Sequence, residues 1–130
     1  MDLSTRIELF TAALLLITGV SHVVCPGAWS DLFIDLFRRP HSGLWIGLLT
    51  LPVGLLLVVT HNVWVADLTV IVTLLGWAWT IKGTLYLLVP DLPARKFKHI
   101  VERPRHFVIA GVCLCAFGVG VLVSVLPIGS

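Results

Sequence analysis

A chain of 130 residues that is 58% hydrophobic and only 12% charged, with net charge +2 and mean hydropathy +1.02, is too apolar for a soluble fold. Soluble domains carry about a quarter charged residues, and a globule this small leaves much of its surface in water. The length excludes a large multidomain enzyme, and the composition excludes disorder and a disulfide-stapled secreted module. A small polytopic membrane protein is what the arithmetic leaves.

The first apolar run covers residues 7–24, close to the ~20 residues that cross a ~30 Å hydrocarbon layer as a helix. It follows Asp2 and Arg6 in place of a basic cluster and ends at His22, Cys25 and Pro26 without a small-x-small pattern, so it is expected to be retained. Glu8, Ala12, Leu15, Gly19 and His22 step by four and three along one face, which points both ionisable residues inward. Between Pro26-Gly27 and Pro40, the residues Trp29, Leu32, Phe33, Leu36 and Phe37 recur at helical spacing. That spacing predicts an amphipathic helix over 28–39 lying in the headgroup region, with Asp35 paired to Arg39 four residues on.

The second run, 43–60, carries Gly43, Gly47, Thr50 and Gly54 on one face, and Pro52 inside it is expected to bend the helix. The third run, 66–89, carries Thr69, Thr73, Gly76, Thr80 and Gly83 in the same steps. Trp77 and Trp79 fall near its middle, as a docking surface for a partner helix or a flat pigment would require. The connection 90–106 alternates Arg95, Lys96, Lys98, Arg103 and Arg105 with Leu92, Phe97, Ile100 and Val101, and so is expected to rest on an anionic leaflet together with Arg38 and Arg39. The fourth run, 107–126, holds Gly111, Cys115 and Gly118. Small-residue stripes of this kind are ordinary seams between membrane helices, although the threonines would also line a translocation path.

The sequence thus predicts an all-α, integral membrane bundle of four transmembrane helices in one domain, 1–130, with a short interfacial helix between the first two spans. Seven Lys and Arg residues lie in the connections after the first and third runs, and one, Arg6, lies on the other side. The positive-inside rule then puts those connections in the cytoplasm of a bacterial inner membrane and both termini outside.

Two groups of polar residues merit a chemical reading. At the outer level, Glu8, His61 and Asp67 are expected to form a hydrogen-bonded cluster, but no local spacing supports a metal there. Toward the cytoplasmic side, Lys82 shares a face with Trp79 and Tyr86, and His22 lies at a similar depth. Its ammonium either snorkels to the headgroups or pairs with a carboxylate, a quinone oxygen or an acidic group of a partner. Cys113 and Cys115 point to different faces and form no redox pair, and Cys25 is a lone thiol. There is no phosphate loop, nucleophile elbow or haem-attachment motif. The short, membrane-flanked basic segment does not suit nucleic acid.

The segment Leu16-Ile17-Thr18-Gly19-Val20-Ser21-His22, followed by Pro26, resembles the end of the first helix in DoxX-like four-helix membrane proteins. There a Gly is followed by a Lys and then a Pro, and His22 stands here where Lys is usual. The resemblance covers about a tenth of the chain, and it implies a small subunit or partner of a quinone-linked or redox system. No functional residue is carried over from it.

The function expected from the residues is therefore that of a non-catalytic accessory subunit of a larger membrane complex, of the energy-transducing kind. The alternatives are an oligomeric transporter or channel with a path along the threonines, and a DoxX-like redox-associated protein. No cofactor is predicted, and a bound lipid, quinone or pigment stays open.

Overall fold

The computed structural model describes residues 1–126, and its regular elements among them are all helices. Its helices are α1 (Leu3–Val24), α2 (Pro26–Arg38), α3 (Ser42–Thr60), α4 (Val70–Leu88), α5 (Leu92–Val101) and α6 (Pro104–Val125). Four of them, α1, α3, α4 and α6, are long and apolar enough to cross a membrane. The C-terminal tail, expected outside, lies outside the described residues.

Local chemistry sets the helix boundaries, and several differ from the expected ones: α2 and α6 start two and three residues early, each with a proline as its first residue. α1 starts four residues early because the Asp2 carboxylate accepts a hydrogen bond from the Thr5 amide at 2.9 Å, a side-chain cap for an otherwise unpaired donor. α4 starts four residues late, at Val70: residues 66–69 form turns, where the Asp67 side chain accepts from the Leu68 amide and its carbonyl from the Val70 amide. The basic segment after α4 is not a loop but the helix α5, with Pro93 in its first turn, where a missing N–H costs nothing. α3 runs unbroken through Pro52.

The long helices form two antiparallel pairs, α1 with α6 and α3 with α4, and contacts between the pairs are sparse. Small residues set both seams, as in membrane bundles generally. Along α3 and α4, Gly43 lies against Pro90, Gly47 against Gly83 and Leu87, Gly54 against Thr80, and Gly76 against Leu57. Along α1 and α6, Gly19 lies against Gly111 and Cys115, and Gly118 against Leu16 and Ala12. Gly43 and Gly54 are the tightest of these, since a Cβ would stand 2.5 Å from the Pro90 carbonyl oxygen at the first and 2.5 Å from the Thr80 backbone nitrogen at the second.

The four long helices converge at one end only. Ala12, Leu57, Val72 and Val121, one from each, are fully buried and packed against Ile7, Trp79 and Val125. At the opposite end, which carries the Lys and Arg residues of α2 and α5, the pairs are spanned by those two short amphipathic helices instead. The Ser30 hydroxyl on α2 donates to the buried Val101 carbonyl on α5, and the Trp29 indole N–H donates to Ser21 of α1 at 2.9 Å.

Candidate functional site

The stripe on α2 turns onto the bundle. Trp29 stacks on His22 of α1 with ring centroids 4.2 Å apart, and Phe33 stacks on Phe107 of α6 at 5.7 Å. Beneath this aromatic cover lies a cavity of about 290 Å³ to which all six helices contribute. Its walls are apolar, Ile46, Phe97 and Phe107 among them, and its polar lining is Lys82, Tyr86, His22 and His106. Small-molecule sites have this constitution: an apolar concavity with a few convergent polar groups.

Lys82 is the only Lys or Arg in the lining. Its Nζ stands 5.6 Å from the centroid of the Tyr86 ring, on the positive-tolerant face of the π system. Among the described residues no carboxylate lies within ion-pair distance of it. The residue sits six positions before the end of α4, about 9 Å in from that end. Trp79, expected beside it, packs on the core at the far side instead.

The two histidines present a defined hydrogen-bonding state. His22 Nδ1 is 2.7 Å from the Thr18 carbonyl, and His106 Nδ1 is 2.9 Å from the Ile100 carbonyl. A carbonyl only accepts, so each Nδ1 carries its proton and donates it to the backbone. The cavity lining therefore joins a three-donor ammonium to two imidazoles whose Nδ1 protons are already used. Lys82 and His22, which the sequence places at similar depth, do meet here. His106 and the aromatic cover were not legible, because nothing in the spacing says where α2 and α5 dock.

At the converged end a second polar group is fully used internally. The buried His61 approaches Glu8 through Nε2 at 2.7 Å and Thr73 through Nδ1 at 3.0 Å. The Thr73 hydroxyl donates to the Val63 carbonyl at 2.8 Å and accepts from the Val63 amide at 3.1 Å. Asp67, expected in this cluster, is exposed and accepts from the Leu68 amide in the turn before α4; Thr73, expected on a packing stripe, takes its place. No group of three or more His, Cys, Asp or Glu side chains that could hold a metal occurs among the described residues.

Other expected positions also shift. Trp77, expected at mid-membrane, donates its indole N–H to Asn62 at 3.2 Å, because the late start of α4 brings it near the 61–69 connection. Trp64 donates to the same oxygen at 2.9 Å. Asp35 pairs with Arg38, at 3.8 Å and exposed, and not with Arg39, whose extended backbone has already left the helix. The Thr80 hydroxyl donates back to the Gly76 carbonyl at 2.7 Å within its own helix. Arg38, Arg39, Arg95, Lys96, Lys98, Arg103 and Arg105 are all exposed at the end that carries α2 and α5.

Comparison with known proteins adds no relative to this geometry. A scan against family models and searches of curated proteins and of solved structures returned no match. The cavity must be read from its own chemistry.

Proposed function

We propose that this chain is a small, non-catalytic integral membrane protein that holds the anionic headgroup of an amphiphile in the Lys82 cavity. The single observation that carries the reading is the Lys82 ammonium, set in an apolar lining with no carboxylate partner among the described residues. Lys82 is exposed on the protein, but it lies about 9 Å inside the end of a long apolar helix; in a membrane that depth separates an unpaired charge from bulk water at a cost that a ligand of opposite charge offsets. The four long apolar helices support membrane insertion. The exposed cations around α2 and α5 support an orientation with that end at the cytoplasmic face of a bacterial inner membrane. The cavity then opens at the level of the inner leaflet, where anionic amphiphiles reside.

Connections too short to house a separate catalytic unit support a role as accessory subunit, retaining the amphiphile for a larger membrane complex. The test is equilibrium binding of radiolabelled octanoate to the purified protein in a neutral maltoside detergent. Saturable binding is expected, with methyl octanoate failing to compete and Lys82→Met abolishing it. Equal binding of octanoate by the wild type and by a folded Lys82→Met variant would overturn the reading.

A further inference from the structure

The cavity does not end at Lys82. A second crevice of about 570 Å³ runs between α2 and α3 and is lined by Trp29, Leu32, Leu36, Trp45 and Leu49, with Arg39 also in its lining. Lys82, Phe33 and Ile46 belong to the linings of both spaces. The ammonium therefore stands at a junction between two mostly apolar spaces, of which the first, the chamber, also carries Tyr86, His22 and His106. The crevice opens beside α2, where Leu32, Trp45 and Leu49 are exposed.

Resting on the reading of Lys82 as an anion holder, we infer that the ligand is a single-chain carboxylate amphiphile. Its head lies in the chamber against Lys82, and its hydrocarbon chain leaves sideways through the crevice between α2 and α3 into the surrounding lipid. Three features of the site select this class. One ammonium, with no other Lys or Arg in the lining, neutralises one negative charge, so the lining matches a monoanion better than a phosphate dianion. At about 290 Å³ the chamber stands at the lower edge of small-molecule sites, which leaves no room for a glycerophosphate head with two chains. The exit is lined by indole and leucine side chains, which gain from covering methylenes.

Trp29 and Trp45 flank the exit, and so report on it directly. The experiment is quenching of tryptophan fluorescence by 5-doxylstearic acid in neutral maltoside, using Trp64→Phe/Trp77→Phe/Trp79→Phe so that only the two crevice indoles remain. Electron paramagnetic resonance of the same probe on the unmutated chain is the companion measurement, and it serves if the triple variant does not fold. Saturable quenching and an immobilised spectral component are expected. Both should weaken about tenfold or more with the methyl ester and with Lys82→Met, as loss of one charge-assisted contact predicts. If octanoate binds in a Lys82-dependent way but the stearate probe is neither quenching nor immobilised, the lateral exit is wrong and the anion site stands. If neither acid binds, the anion site itself falls. Displacement of the acid by an equimolar diacyl phospholipid would overturn the single-chain class.

Discussion

Gly19 and Gly111 face each other across the α1–α6 seam with nothing between their backbones. A Cβ on Gly19 would stand 2.8 Å from the Gly111 carbonyl oxygen, and a Cβ on Gly111 would stand 2.6 Å from the Gly19 carbonyl oxygen. Each carbonyl blocks the other residue's side chain, so neither position tolerates alanine without moving a helix. Gly111→Ala should lower stability by about 1–3 kcal/mol, the usual cost of overpacking. Gly27, by contrast, has open space around it, and Gly27→Ala should do no such harm. Thermal unfolding of the two variants in the same detergent separates the effects; equal midpoints would mean the seam is looser than described.

The Glu8–His61 contact joins α1 to the α3–α4 pair at the converged end, beside the buried core of Ala12, Leu57, Val72 and Val121. Glu8→Ala leaves a fully buried imidazole nitrogen without its partner, which costs about 1–3 kcal/mol. Glu8→Gln retains an acceptor and should lose less. The order wild type, Gln, Ala in unfolding midpoint is the expected result, and a Gln variant as weak as Ala would show that the carboxylate charge is essential.

Ser30 ties α2 to α5 through a buried hydrogen bond to the Val101 carbonyl. Ser30→Ala should cost about 1 kcal/mol and loosen the two short helices more than the four long ones. Limited trypsin digestion reads this out, because Lys96 and Lys98 on α5 are exposed. Cleavage there should accelerate in the variant, while the long helices remain protected.

Asp2 is the cap whose titration can be followed. Its hydrogen bonds from Thr5 hold the carboxyl below the ordinary 3.8. A depressed carboxylate contributes its stabilisation above the ordinary value and loses it as pH falls through the folded one. The Thr5 amide resonance should therefore titrate with a midpoint under 3.8, reporting the first turn of α1 fraying. In Asp2→Asn the cap persists as a neutral acceptor, and that titration should disappear.

Much of the architecture was legible because hydropathy and helical spacing are strong signals at this composition. Four apolar runs correspond to four long helices, and the glycines of the 43–54 and 76–83 stripes lie at the α3–α4 seam. The small-residue face of the last run does not say which helix it meets, since Gly111 and Gly118 would suit any glycine-bearing neighbour. α5 was hidden because Arg95, Lys96 and Lys98, with Pro93 near the start, look like a basic connection resting on lipid when no docking partner is known. At the site, the depth of Lys82 and His22 could be counted along their helices. His106, Phe33 and Phe107 become neighbours only when α2 and α5 fold back, and no periodicity records a fold-back.

The pairing of α1 with α6 also has a consequence for how the chain is made. About 80 residues separate the end of one helix from the start of the other, so at ribosomal speed α1 waits on the order of ten seconds for its mate. The α3–α4 hairpin, by contrast, finds its seam as soon as it is synthesised. For that interval the Gly19 face of α1 has no protein against it, and the ring of helices stays open until translation reaches α6.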